Sequence, residues 1–189
     1  VLGDNIFYGH GLGDALTSAA RRTDSATIFA YRVRDPERYG VLGFDKQGRV
    51  TEIIEKPKNP PSSYAVTGLY FLDGRAPDLA KTVQPSPRGE LEIVDLLSLY
   101  LQSGELRVET MGRGYAWLDT GTHESLLQAA DFIQAIEERQ GLKVACLEEI
   151  AWRSGWIATG ELRALAAEAG KSSYGDYLRE LAAGENAIS

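Results

Sequence analysis

The spacing of apolar residues changes several times along the chain, and each change marks an element. Leu12, Ala15, Leu16 and Ala19 recur at helical intervals within residues 11–22, which end in the basic pair Arg21-Arg22. Residues 26–33 (ATIFAYRV) are rich in β-formers and predict a strand. Residues 1–5 (VLGDN) read as the end of a buried strand whose beginning is missing. That strand, helix, strand order predicts a βαβ unit in a mostly parallel sheet. Residues 39–44 and 50–54 flank Asp45-Lys46-Gln47-Gly48, a turn signal, and predict a hairpin. Residues 58–63 (KNPPSS) form a loop, because two prolines do not sit inside a sheet.

Further on, residues 64–72 predict a strand ended by Asp73-Gly74, and residues 91–101 a helix introduced by residues 85–89. A short strand at 106–111 and another at 115–119 lead into a helix from Thr122 to about Gln140. That helix places Leu126, Ala129, Ala130, Ile133 and Ile136 on one side, and Gly141 is its expected stop. Residues 159–183 read as two short helices separated by Gly170-Lys171-Ser172-Ser173. The expected organisation is an α/β part over residues 1–121, with a mixed, mostly parallel sheet, and a helical region over 122–189.

Composition narrows the function. With 20 Lys plus Arg against 27 Asp plus Glu, the net charge is −7, which argues against broad electrostatic binding to nucleic acid. Hydrophobic residues make up 43%, enough for a packed core, so a disordered chain is excluded. The single cysteine, Cys146, cannot form an internal disulfide, and a reducing cytoplasm is the expected compartment. No apolar run approaches membrane-spanning length, and the opening residues do not read as a signal peptide, so no membrane partner is expected.

Two carboxylates stand out. Asp4 follows a hydrophobic stretch and precedes a loop with Gly9, Gly11 and Gly13. Ligands bind outside the carboxyl ends of strands in open α/β sheets, so Asp4 is placed to hold Mg²⁺ across substrate phosphates; equally, it is placed to cap the next helix. Asp119, in YAWLDTG, has the same setting, and there Asp119 or Thr120 serves equally as an N-cap. GHGLGD does not match the dinucleotide fingerprint. Glu55-Lys56-Pro57 offers an acceptor for sugar hydroxyls and a cation for a phosphate. Neighbours on a strand face opposite sides, so only a bend before Pro57 would turn both to one ligand; the alternative is an exposed ion pair. Gly68 marks a close backbone approach or plain core, and Tyr70 a stacking or hydrogen-bonding group. His10 and His123 lack metal or triad partners in sequence, and Cys146 reads as structural.

LGDNIFYGHGL, DPERYGV, EKP, YAVTGLYFLD, PSPRGELEIVDL, GRGYAWLDTGTHESL and EERQGLKVACLEEIAWR occur in this order over nearly the whole chain. Together they resemble the glucose-1-phosphate thymidylyltransferase family of sugar nucleotidyltransferases, which begins dTDP-rhamnose synthesis. The resemblance implies a partial Rossmann-like α/β fold of the nucleotide-diphospho-sugar transferase type. It implies Mg²⁺ as cofactor, dTTP and glucose 1-phosphate as substrates, dTDP-glucose as product, and a homo-oligomer. Asp4 and Asp119 match the metal-holding aspartates. Gly40, Glu55, Lys56, Val66, Tyr70 and Trp117 match the sugar-phosphate pocket, with Lys56 as the catalytic cation on the sugar phosphate. Tyr8, Gly9, Gly112, Arg113, Glu149, Ile150 and Arg153 match a regulatory nucleotide site at a subunit interface.

The chain departs from the family in one respect. The family's GGxGTRL loop, with its following Lys and base-reading Gln, does not occur here, and the expected reading is a C-terminal part with little or no transferase activity alone. Such a part would also carry an exposed, aggregation-prone strand edge. Two other readings stand beside it: a non-catalytic module binding sugar phosphate or nucleotide and mediating dimerisation, and a nucleotide-sugar glycosyltransferase with Asp4 as its metal acid. The EKP and C-terminal motifs do not fit the last.

Overall fold

The structure, a computed structural model, describes residues 1–184. The chain divides into two compact units, Val1–Ser125 and a second from Leu126 onward.

The first unit is built on β2 (Ala26–Arg32), whose residues 26–30 are all buried. Successive side chains on a strand point to opposite faces. Ile28 and Ala30 therefore pack on one side with Leu42, Ile53, Val66, Val94 and Leu97, while Phe29 packs on the other with Ala19 and Met111. A strand covered on both faces reads as a continuous apolar run rather than an alternating one. Around β2 lie β3 (Gly40–Phe44), β4 (Val50–Glu55), β5 (Tyr64–Phe71) and β6 (Leu106–Met111), in the spatial order β4-β3-β5-β2-β6. Edge strand β4 exposes Thr51 and Glu52 and buries Ile53.

Helix α1 (Leu12–Ala20) belongs to the Phe29 face and α3 (Ile93–Gln102) to the Ile28 face. Each fully buried leucine on α3, such as Leu97, is worth about 1.5–3 kcal/mol relative to exposure. The strands β1 (Asn5–Gly9) and β7 (Tyr115–Asp119) form a separate antiparallel pair.

The α/β class and the mixed sheet stand as expected, but two features of the expected topology are corrected. Among the described strands only β2 and β6 pair in parallel; β2–β5, β3–β4, β3–β5 and β1–β7 are antiparallel. The short connection 45–49 can only return the chain antiparallel, because a parallel crossover needs a dozen or more residues. The expected βαβ unit does not form either, since β1 pairs with β7 and not with β2. Residues 1–4 are not strand: Gly3 and Asp4 form a turn, and Leu2 N–H donates to Gly68 O at 2.8 Å. A short helix α2 (Ala76–Ala80) and a 3-10 turn at Pro36–Arg38 were not foreseen.

Helix α4 (His123–Gln140) starts one residue beyond Thr122, whose Oγ1 accepts from Ser125 N–H at 3.1 Å. The cap is therefore Thr122, not Asp119 or Thr120. Of the expected apolar side of α4, only Ala129 is buried; Ile133 and Ile136 are half-buried, and Leu126 and Ala130 are exposed. The second unit continues with α5 (Leu147–Arg153), which was not expected, and the expected pair α6 (Thr159–Glu168) and α7 (Ser173–Ala183). Its core gathers Cys146, Leu162, Ala166, Tyr177, Leu178 and Leu181. Cys146 is buried there, with its Sγ 3.1 Å from Tyr174 Oη, which itself donates to Glu148.

Candidate active site

A cleft of about 260 Å³ in the first unit is lined by Asp4, Gly40, Glu55, Lys56, Val66, Tyr70, Trp117 and Asp119, together with Leu2, Asn5, Arg38, Tyr39, Gly68 and Ile93. It thus collects all eight residues that the sequence singled out for metal and sugar phosphate.

The antiparallel pairing of β1 and β7 brings the two aspartates together. Asn5 stands opposite Asp119 in the register, so the start of β1 meets the end of β7. Asp4 accordingly lies at the beginning of a strand, not at the carboxyl end where it was expected. Thr120 closes the arrangement by donating its N–H and its Oγ1 to Asp4 O, at 2.8 and 2.9 Å. A methyl group placed on Gly121 would stand 3.2 Å from Asp119 Oδ1 and 3.7 Å from Asp4 Oδ2, which shows the two carboxylates converging. Among the described residues no group of three or more His, Cys, Asp or Glu side chains is arranged to hold a metal. Two carboxylates and an open side fit a hard cation such as Mg²⁺, which takes one or two carboxylates and completes its shell with phosphate oxygens and water.

Asp119 is well satisfied. Its Oδ1 accepts from Gly121 N–H at 2.8 Å, and its Oδ2 from Arg38 Nη2 at 3.1 Å and Tyr39 Oη at 2.9 Å. Burial, and then the hydrogen bond to Asp119, hold the Tyr39 hydroxyl well above the ordinary tyrosine range, so it is a donor at any working pH. The Tyr39 ring packs on Trp117 with centroids 5.0 Å apart. Asn5 is the other organiser. Its Oδ1 accepts from Trp117 Nε1 at 2.6 Å and Gly68 N–H at 3.2 Å, while its Nδ2 donates to Asp4 Oδ1 at 2.8 Å.

The Glu55–Lys56 side of the cleft is set by a bend at the end of β4. Lys56 has φ 43°, a left-handed conformation uncommon outside glycine, and its N–H donates to Tyr39 O at 2.9 Å. This bend is what turns two adjacent residues, Glu55 and Lys56, onto one cleft, with Lys56 Nζ 3.8 Å from Glu55 Oε1. Burial and then the neighbouring Glu92 raise the Glu55 carboxyl above its usual value, with Lys56 and Arg88 acting in opposition. Burial, followed by the charges of Glu55 and Asp4, pushes Tyr70 up to about 12, so it too stays a neutral donor. Gly40 is a close approach: a methyl there would stand 2.7 Å from Val94 Cγ2 and 3.3 Å from Glu55 Oε2.

Sequence reasoning did not single out Asn5, Arg38 or Tyr39. All three lie inside quoted stretches, LGDN and DPERYGV, but nothing in their spacing distinguishes them from turn residues.

The residues expected at a regulatory site fall in both units. Gly112 and Arg113 line a separate cavity of about 520 Å³ with Tyr31, Arg32, Tyr64 and Tyr115. Tyr8 and Gly9 lie on β1, and Gly9 faces Tyr115 so closely that a methyl there would stand 2.4 Å from Tyr115 Cδ1. Glu149, Ile150 and Arg153 lie on α5 of the second unit; Arg153 Nε donates to Glu149 Oε1 at 2.7 Å, Tyr177 Oη donates to Glu149 Oε2, and Ile150 is exposed.

The chain is 60% identical over 182 residues to the glucose-1-phosphate thymidylyltransferase of Xanthomonas campestris pv. campestris, covering 96% of this chain and 62% of that protein. It is 55% identical to the enzyme of the same name from Neisseria meningitidis and 50% identical to that from Mycobacterium tuberculosis, again over 96% of this chain and 63% and 62% of theirs. The chain therefore spans somewhat under two thirds of the length of these curated relatives. A crystal structure from Bacillus anthracis, described as a glucose-1-phosphate thymidylyltransferase in complex with a sucrose, superimposes with a TM-score of 0.59 at 40% identity, over 70% of this chain and 52% of that one. An apo UDP-glucose pyrophosphorylase shares the fold at 21% identity, with a TM-score of 0.58 over 74% of this chain and 54% of that one. The family profile described as Nucleotidyl transferase matches residues 1–136, which contain the whole cleft, and the chain belongs to that family.

Proposed function

We propose that this chain supplies the sugar-phosphate and metal side of a glucose-1-phosphate thymidylyltransferase. The observation that carries the reading is the single 260 Å³ cleft holding Asp4, Asp119, Gly40, Glu55, Lys56, Val66, Tyr70 and Trp117 together. Glu55 accepts from glucose hydroxyls, Tyr70 donates to the sugar, and Lys56 holds the sugar phosphate. In the reaction a phosphate oxygen of glucose 1-phosphate attacks the α-phosphorus of dTTP, the bond to the bridging oxygen breaks, and pyrophosphate leaves with dTDP-glucose as product. Such transfer depends on positioning and charge neutralisation. Mg²⁺, held by Asp4 and Asp119, supplies part of that charge when bound.

The GGxGTRL motif, its Lys and its Gln are not among the 189 residues, so the chain by itself binds glucose 1-phosphate and releases little or no pyrophosphate. The whole protein serves the first step of dTDP-rhamnose synthesis, in the cytoplasm. It works as a homo-oligomer with a regulatory nucleotide site at a subunit interface, for which Tyr8, Gly9, Gly112, Arg113, Glu149, Ile150 and Arg153 are the candidates. Exposed Leu126, Leu127, Leu147, Ile150 and Trp156 in the second unit support association with a further copy. Among the described residues no helix is long and apolar enough to cross a membrane.

The test pairs two measurements on the 189-residue chain. Calorimetric binding of glucose 1-phosphate is expected in the parent and lost in Lys56→Ala; a folded parent that does not bind it overturns the sugar-phosphate reading. Pyrophosphate release with dTTP, Mg²⁺ and glucose 1-phosphate is expected to be near background. A rate that vanishes in Asp119→Asn would show that the residues present suffice for chemistry.

A further inference from the structure

We propose that Arg38 is an exchangeable latch on Asp119: its guanidinium and a divalent cation compete for the same carboxylate, so that Arg38 sets how tightly the cation is held. The inference deepens the proposed function and rests on its reading of Asp119 as a metal-holding residue.

The three groups that donate to Asp119 differ in how readily they leave. Gly121 N–H is backbone within the turn that follows β7. Tyr39 Oη is anchored by its ring, which is half-buried and packed on Trp117. Arg38 alone has somewhere else to go. Its side chain is 41% exposed, and its other terminal nitrogen, Nη1, donates to Asp35 Oδ2 at 2.9 Å. It touches Asp119 through one nitrogen at 3.1 Å rather than through the two-pronged arrangement that makes arginine pairs strong. An arginine held in this way contributes little and is released at little cost.

The oxygen that Arg38 occupies belongs to the carboxylate that converges with Asp4. A cation held by the two aspartates would place a second positive charge on the carboxylate whose Oδ2 the guanidinium already contacts, so each would weaken the other. When the cation takes Asp119, Arg38 keeps its bond to Asp35 and its exposed stem lets the head swing clear. The other cations of this region do not compete. Lys56 and Arg88 approach Glu55, at 3.8 and 3.9 Å, and make no ion pair with Asp119.

The test measures Mn²⁺ binding to the 189-residue chain without nucleotide or sugar, from the enhancement of water-proton relaxation. Arg38→Gln should bind Mn²⁺ about 2- to 5-fold more tightly, the span of an exposed ion pair. Arg38→Lys keeps the charge on a stem that cannot span Asp35 and Asp119 together, and should show part of the gain. Arg88→Gln removes a nearby charge without freeing Asp119, and should change binding less than 2-fold. An Arg38→Gln gain no larger than that of Arg88→Gln, or Arg38→Lys indistinguishable from the parent, assigns the effect to charge at a distance and overturns the latch. Weaker Mn²⁺ binding in Arg38→Gln overturns it too. Asp119→Asn separates the two levels of inference: loss of Mn²⁺ there with no gain in Arg38→Gln removes only the latch, whereas unchanged binding in Asp119→Asn removes the metal reading and the latch with it.

Discussion

Asn5→Ala tests whether one side chain organises the cleft. The β2–β5 register shifts between Ile28 and Ala30, which takes the stretch of β5 around Gly68 out of the regular ladder. Gly68 N–H is buried there and finds its acceptor in Asn5 Oδ1, at 3.2 Å, beside Trp117 Nε1 at 2.6 Å. Alanine leaves both donors unmet. Each such group costs about 1–3 kcal/mol when fully buried. Trp117 is 9% exposed and the cleft admits water to one of the two, so the expected loss is about 2 kcal/mol.

The direct readout is hydrogen exchange of the Gly68 amide by NMR. A loss of about 2 kcal/mol corresponds to a fall in protection of roughly 30-fold. Asn5→Asp retains the acceptor and should keep Gly68 protected, while placing a second carboxylate beside Asp4 Oδ1 in place of the Nδ2 donor. Gly68 protection within 2-fold of the parent in Asn5→Ala would refute the reasoning. Equal loss in Asn5→Asp would do so as well, because the acceptor is then not what matters.

Three further outcomes follow from the same structure. Thr27 is fully buried and its Oγ1 has no hydrogen-bond partner, so Thr27→Val should stabilise the first unit by about 0.5–1 kcal/mol in urea unfolding; a loss of that size would reveal an acceptor for the hydroxyl. Hydrogen bonds from Arg75, and then from Tyr100, hold the Asp73 carboxyl down at about 2, below its ordinary 3.8. A depressed carboxyl stabilises the fold fully above its unfolded value and loses that contribution as pH falls through the folded one, so the stability gap between the parent and Asp73→Asn should narrow from about pH 4 toward pH 2. A gap that stays constant over that window in acid titrations followed by circular dichroism would contradict it. Gly40→Ala pushes a methyl against Val94 and Glu55, and should weaken glucose 1-phosphate binding about 10-fold while costing about 1–3 kcal/mol of stability; unchanged affinity in the folded variant would remove Gly40 from the pocket wall.

Much of the fold was legible because its signals are local. The β-formers of residues 26–33, the Asp45-Lys46-Gln47-Gly48 turn and the helical stretches after Thr159 each predicted an element that the structure contains. The pairing was not legible, because it is decided by contacts between residues far apart. Nothing near Asn5 announces that its partner strand begins at Tyr115. Helix α5 was missed for a related reason: seven residues with Leu147 and Ile150 exposed show no strong apolar stripe. Glu55, Lys56 and Tyr70 were singled out by their chemistry and Gly40, Val66 and Trp117 by their motifs, and all six line one cleft. Arg38 and Tyr39 were not, since their importance comes from reaching Asp119, 81 and 80 residues away.

The same long-range pairing explains why the arrangement of the two aspartates depends on strand register. Side chains alternate across a strand, so a slip of one residue between β1 and β7 would turn Asp119 and Trp117 to the opposite face. Two features hold the register from outside the ladder. Thr120 N–H and Oγ1 bond Asp4 O beyond the last pair, and Trp117 Nε1 bonds Asn5 from the third position along β7. Both act on the residues that carry or orient the carboxylates. The backbone that brings Asp4 to Asp119 is therefore locked by the neighbours of the two aspartates, which leaves the Arg38 side chain as the readily exchangeable contact at Asp119 Oδ2.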